Sequence, residues 1–386
     1  MYSRLFVGLN VIALIVVIAV SPRWIDPLGK PVGTDFIGFW AAGHMALQGH
    51  AVDAYDADRH YEAERGALPW RGDERPPQVP WLYPPTFLML AAGLALLPYG
   101  LALGVWLTAT LPLYVLAVRE ILPGMTTVMV ALAFPAVFSN LAHGQTGFLA
   151  AGLFGGALLL LETRPWAAGI LFGLLAYKPQ FGVLVPLALM AGGYWRTICA
   201  AGLSMAGTIS LSWRVWGTEP WRAFFEAMRE AGVFGLEEGA IGFEKLQSVY
   251  AGARMLGLGS DAAWVLQAAV AVLVAALVVW VWLKPGLSTR RYAVLCIASL
   301  MVTPYVFDYD LIILALPLAW LAAEGLREGF GRWEKLALLA AWLLPLLSRM
   351  IGRYLHAPSA PLVLGALLYI GLRTHRGGSL RRRRPD

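Results

Sequence analysis

The sequence predicts an all-α protein that crosses a membrane many times, and three observations predict it. Apolar runs recur along nearly the whole chain, beginning with residues 5–20, where no charge appears. Of the 386 residues, 59% are hydrophobic and 14% charged, with a mean hydropathy of +0.63. A soluble domain cannot hide that much apolar surface, whereas a bilayer solvates it. The Arg and Lys residues between the runs also sort to one side of a membrane.

The run 5–20 reads as a retained helix. Ser21-Pro22-Arg23-Trp24 gives a signal peptidase no small-residue site, and the chain stays hydrophobic afterwards. A large first outer loop, 21–82, follows. Further crossings are expected at 101–118, 126–138, 146–161, 166–177, 181–193, 197–216, 262–282, 292–304, 311–323, 336–347 and 361–372. That makes about 12 transmembrane helices, several of them short and broken by Pro and Gly.

The apolar stretch 83–98 decides the topology. If it crossed, with the amino terminus inside, Arg119, Arg164, Arg196 and the loop 284–291 would all lie outside. If it is re-entrant or interfacial, those residues, Arg327, Arg332, Lys335 and the tail are all cytoplasmic. The positive-inside rule selects the second arrangement, with both termini inside. Five polar clusters then face the outer side: the first loop, His143-Gly144-Gln145, Lys178-Pro179-Gln180, a second outer loop at 217–257, and 303–310. Polar groups at membrane depth are expensive and line a site or a path.

Cys199 and Cys296 sit in apolar runs without metal-ligand spacing, and both read as buried small apolar residues. The basic tail 373–386, with Arg381 to Arg384, suits an anionic cytoplasmic leaflet. Nucleic acid is the other partner such a tail takes, but the chain has no further basic surface to hold it.

Within the first loop, Asp35 precedes a run, 36–49, whose Phe36, Phe39, Trp40, Gly43 and Leu47 recur at 3–4 spacing, as in an amphipathic interfacial helix. Asp35 is either an N-cap or a catalytic base just outside the bilayer. Asp56 is the best second carboxylate of this loop, and most of the charges of 53–64 read as solvated. His44, His50 and His60 lack the spacing of a zinc site. Lys178 interrupts an apolar stretch. It either snorkels to the interface or, with Pro179 and Gln180, forms a broken-helix site for an anion such as a lipid phosphate. Its removal is expected to leave folding intact. Asp308 and Asp310 flank Tyr309, where they cap the next helix or face the site. Arg254 is a surface charge or a phosphate clamp. No P-loop, dinucleotide-binding glycine pattern or nucleophile elbow is present, and no internal repeat marks a transporter built from halves.

Taken in order, these motifs resemble glycosyltransferase family 87. They are Asp35-Phe36 with Phe39-Trp40 and Ala42-Gly43, Tyr55-Asp56, Tyr83-Pro84-Pro85, Gly144-Gln145 and Lys178-Pro179-Gln180. Ser248 with Ala253-Arg254 and Leu256-Gly257, and Thr303-Pro304-Tyr305 with Tyr309-Asp310-Leu311, complete the set. The resemblance runs from Asp35 to Trp320. It implies a GT-C-like membrane fold in the inner membrane, acting on its outer, periplasmic face. It further implies an inverting hexosyltransferase that takes a sugar, mannose in the family's best-known branch, from a polyprenyl-phosphate donor. The acceptor would be a glycolipid or glycan.

On that reading Asp35 is the catalytic base, and Lys178, Gln180 and Arg254 serve the donor phosphate and lipid. Asp56, Tyr83, His143, Gln145, Tyr305, Asp308 and Asp310 are substrate-binding candidates. No metal or other cofactor is demanded. The alternative from another class is a transporter or flippase for lipid-linked sugars.

Overall fold

The computed structural model describes residues 2–68, 81–284 and 288–373. The basic tail from residue 374 onward, the centre of the 284–291 loop and the end of the first loop lie outside them. The chain begins with α1 (Tyr2–Ala19), followed by α2 (Phe36–Leu47), α3 (Ala57–Ala67), α4 (Pro85–Ala95) and α5 (Tyr99–Ile121). Next come α6 (Met125–Leu132), α7 (Pro135–His143), α8 (Gly147–Leu160), α9 (Pro165–Leu174), α10 (Pro179–Gly182) and α11 (Val185–Ala191). The remainder are α12 (Trp195–Trp216), α13 (Glu219–Ala231), α14 (Val249–Met255), α15 (Ser260–Trp282), α16 (Ser288–Met301), α17 (Ala315–Glu328), α18 (Glu334–Leu355) and α19 (Ser359–Leu372). Among the described residues no strand forms, only two isolated bridges, Ile25 with Pro31 and Leu246 with Phe307.

Many of the prolines open helices. Pro85, Pro135, Pro165, Pro179 and Pro220 all sit in a first turn, where a missing N–H costs nothing. Each expected crossing coincides with a helix or a helix pair, but their lengths do not deliver 12 full spans. Among the described residues four helical stretches are long and apolar enough: Tyr99–Ile121, Ser260–Trp282, Asp308–Glu328 and Glu334–Leu355. A fifth follows if α6 and α7, bent by 55°, count as one. Most of the others are too short, because at about 1.5 Å per residue a 14-residue helix reaches only ~21 Å. Large apolar side chains stand exposed along the outer helices, as lipid contact requires: Val265 and Val272 on α15, Leu203 on α12, Leu362 on α19.

The turns between helices gather at two poles. At one, Arg290 pairs with Glu324 at 2.6 Å and donates to the Ile370 carbonyl, while Arg291 pairs with Glu162 at 2.6 Å. At the other, the five polar clusters of the sequence meet. Thr34 contacts His143, Gln145 contacts Asp35, and Lys178 contacts Asp310. The Tyr55 ring packs on Phe224 of α13, and the Gln247 amide donates to Val306. Both ends of the 83–98 segment lie at this second pole. The Tyr83 hydroxyl reaches Gln145, and the Tyr99 hydroxyl donates to the Val32 and Gly33 carbonyls.

Three expectations need correction. The helix after Asp35 does not lie with one face open but packs into the core: Phe36, Ile37, Phe39, Ala42 and Met45 are all buried. Its small residues explain this, since a Cβ on Gly43 would sit 2.1 Å from the Ala91 carbonyl oxygen of α4. The stretch 217–245 is largely helical rather than loop, with α13 burying Phe224, Ala227 and Ala231, followed by a π-helical turn at Gly232–Glu237. Cys296 is buried as expected, but Cys199 is exposed on α12.

Candidate active site

The site begins where the chain leaves the first helix and turns into α2. Backbone N–H groups of Gly33 and Asp35 donate to the carbonyls of Ala142 and His143, at 3.2 and 3.1 Å, so the head of α2 is laced to the end of α7. Gly144 makes this lacing possible. Its φ of +65° ends α7, and a Cβ there would come within 2.6 Å of the Phe36 Cβ. The Trp106 indole fixes the corner by donating to the Gly144 carbonyl at 3.0 Å.

Asp35 stands at the N-cap position of α2 but makes no side-chain capping bond. Its Oδ2 accepts the Gln145 amide at 2.6 Å, and its Oδ1 lies 3.8 Å from the His143 Nδ1. The Thr34 hydroxyl bridges the pair, 3.4 Å from Oδ1 and 2.5 Å from the His143 ring nitrogen. Both side chains are about one-third exposed, 34% for Asp35 and 35% for His143, so a solute can reach them. Gln145 is held from behind, because its Oε1 accepts the Thr146 N–H at 3.0 Å and the Tyr83 hydroxyl at 3.3 Å. Tyr83 belongs to an aromatic stack with Phe87 and Tyr177, and the Tyr177 hydroxyl donates to the Thr146 carbonyl.

Lys178 lies deeper. Its ammonium meets Asp310 Oδ1 at 2.7 Å, with both side chains almost completely buried, and faces the rings of Tyr309, Phe181 and Tyr83. Asp310 also accepts the Phe307 N–H at 3.0 Å, which holds the turn ahead of α17. Lys178 therefore neither snorkels nor stands as a lone cation, because its charge is balanced inside the protein. Asp308 accepts the Tyr309 N–H at 2.9 Å and has the Arg349 guanidinium at 3.7 Å.

The remaining candidates lie further out. Asp56 is exposed and caps α3, accepting the N–H groups of Asp58 and Arg59 at 3.0 Å each. Gln180 is half-buried on α10. Arg254 lies over the Phe243 ring at 5.0 Å, and Tyr305 packs on the same small cluster around Tyr250. His44 stacks on Trp40, His50 pairs with Asp53, and His60 bonds the Gly38 carbonyl.

Three participants escaped the sequence reading. Asn140, fully buried, donates to the Tyr309 carbonyl and accepts the Gly147 N–H, joining α7, α8 and the turn before α17. A buried Asn at the end of an apolar helix was the available signal. Arg349 gave none, being one of several basic residues on α18. Glu64 was not singled out, being one charge among many on α3. Yet its carboxyl is only one-fifth exposed, and burial with the nearby Asp35 carboxylate pushes it up to about 8.

Residues 81–304, more than half of the chain, match glycosyltransferase family 87. The protein belongs to that family. No curated protein and no solved structure matches the chain. The stretch that matches family 87 carries Tyr83, His143, Gln145, Lys178, Gln180 and Arg254. Asp35 lies ahead of it and is tied into it through Gln145 and His143. Membership makes this membrane protein a glycosyltransferase, and the polar pole around Asp35 is its candidate active site.

Proposed function

We propose that this family 87 glycosyltransferase moves a sugar, mannose in the first instance, from a polyprenyl-phosphate donor to a glycolipid or glycan acceptor. The observation that carries this reading is the Asp35 carboxylate. It is spared from capping its helix, oriented by Gln145 and open to solutes.

Oδ2 is held by the Gln145 amide at 2.6 Å and Oδ1 by the longer Thr34 contact at 3.4 Å, so Oδ1 takes the proton. The acceptor oxygen bonds to the anomeric carbon as its proton passes to Oδ1. The bond from that carbon to the phosphate oxygen breaks, and its electron pair leaves with polyprenyl phosphate. Single displacement inverts the anomeric centre. Phosphate is a good leaving group, so one base and positioning supply most of the catalysis, and the reading needs no metal. We assign the phosphate to Lys178, which is buried against Asp310, and the lipid to Arg254 and Gln180. Tyr83, His143, Tyr305, Asp308 and Asp310 shape the sugar and acceptor sites, and Asp56 stands at their outer edge.

We place the protein in the inner membrane with twelve crossings counted through the short helices, both termini cytoplasmic and Asp35 on the periplasmic face. Supporting this, Arg290, Arg291 and Arg373 gather at the pole opposite Asp35, and the two ends of 83–98 share the Asp35 pole.

Purified protein in vesicles, given radiolabelled polyprenyl-phosphate mannose and a glycolipid acceptor, should transfer the label and release polyprenyl phosphate. Label that crosses the bilayer still attached to its polyprenyl phosphate would overturn the reading in favour of a flippase.

A further inference from the structure

We propose that Glu64 is a positioning residue of the Asp35 centre, a carboxyl that works in its protonated form and whose ionisation weakens donor binding. The inference rests on Asp35 being the base.

The geometry is a notch in α2. Gly38 lies one turn beyond Asp35, and a Cβ there would come within 3.0 Å of Glu64 Oε1 and 3.4 Å of the His60 ring. The absence of that side chain admits both groups of α3 against the back of the catalytic helix. His60 fills one part, buried, with Nε2–H donating to the Gly38 carbonyl at 3.0 Å. That bond makes Nε2 a donor. Burial also pushes the imidazole pKa below its ordinary value, so the ring is neutral and adds no positive charge for Glu64. The Glu64 carboxyl stands 3.9 Å from that nitrogen.

The groups facing Glu64 are Asp35 at the head of α2, His60 one turn back on α3 and the Tyr99 phenol of α5. Among the described residues none of these groups is a cation, and Asp35 is an anion. A carboxylate in such surroundings is unfavourable, and a carboxylic acid is not. This agrees with its upward shift to about 8. A protonated Glu64 leaves Asp35 free to act as the base. An ionised Glu64 puts a second negative charge behind the place where an anionic donor must bind.

The test is the donor KM for polyprenyl-phosphate mannose at about pH 7 and about pH 9, in the wild type and in Glu64→Gln. In the wild type it should rise on the order of tenfold over this range, the effect of one added nearby charge at an effective dielectric near 20. In Glu64→Gln the two values should agree, because the amide copies the neutral acid and cannot ionise. Infrared spectroscopy supplies a readout free of turnover. The wild type at neutral pH should show a protonated carboxylic carbonyl stretch that Glu64→Gln lacks and that fades as pH passes about 8. A wild type without that band, or a Glu64→Gln variant that keeps the alkaline rise, overturns the inference. Asp35→Asn, assayed alongside, separates the two failures, because full activity there would sink the base assignment and leave the infrared result standing.

Discussion

The Gln145 side chain donates to Asp35 across 2.6 Å, joining the corner between α7 and α8 to the head of α2. A hydrogen bond to a charged group is worth about 1.5–3 kcal/mol, and this one also fixes the carboxylate's orientation, leaving Oδ1 on the longer Thr34 contact at 3.4 Å. Gln145→Leu should therefore lower kcat by about 10–100-fold and change donor KM much less, because the lost contact orients a base and does not hold the lipid. Steady-state kinetics checks the split. A variant with raised KM and unchanged kcat would make Gln145 a substrate contact.

The Lys178–Asp310 pair changes what the lysine predicts. From sequence, its removal looks harmless, even favourable, because it takes a charge out of the membrane. In the structure it leaves Asp310 buried without its counter-ion, which costs about 3–5 kcal/mol. Lys178→Met should unfold at clearly lower temperature in detergent, and adding Asp310→Asn should recover a large part of the loss, since the amide oxygen still accepts the Phe307 N–H. A single variant as stable as the wild type would mean the pair is not buried together.

These two contacts show where sequence reading stops. Hydrophobic runs with Pro and Gly between them specify helices locally, so every expected crossing found a helix. The polar clusters were legible too, because a charge or amide in an apolar run is conspicuous. What was not legible was partnership. Lys178 and Asp310 are 132 residues apart, and no local rule links them. Asp35 could cap α2 or face outward, and only the approach of Gln145 decides between them. Glu64 was hidden by its neighbours, since a charged helix such as α3 looks solvated on every face until Gly38 is seen to open a notch for one carboxyl. The burial of α2 was missed for a related reason: its aromatic stripe suggests headgroups, whereas Gly38 and Gly43 let two helices close over it.

The two poles give a topology test. The glycine of His143-Gly144-Gln145 would be a poor place for a reporter, because its positive φ and the nearby Phe36 leave no room for a side chain. Glu62 and Glu328 are exposed, the first on α3 and the second at the end of α17. With Cys199 and Cys296 replaced by Ala, Glu62→Cys should react with a membrane-impermeant maleimide in intact spheroplasts, and Glu328→Cys only after lysis. Reaction of both before lysis would show that one segment has been counted on the wrong side.

Asp35→Asn is the decisive variant, and the structure sharpens its meaning. Asn caps helices about as well as Asp, and here Asp35 makes no capping bond at all, so α2 loses nothing at its start. The amide can still stand beside Gln145 and His143, so expression and thermal stability should stay close to wild type. What the amide cannot do is accept the acceptor's proton, and kcat should fall on the order of 10²–10⁴-fold. Asp56→Asn is the internal comparison, in the same loop but with the opposite structural role. Its carboxylate caps α3 through two backbone N–H groups, a task the amide performs equally well, so transfer should continue at the wild-type rate. Asp56→Ala should cost about 1 kcal/mol of stability through the lost cap, again without a collapse in turnover. If Asp56→Asn were dead and Asp35→Asn active, the base would lie at the outer edge of the loop and the Gln145–Asp35 contact would be structural. If both stayed active, the chemistry would have to be sought away from this loop, at Asp308 or beyond.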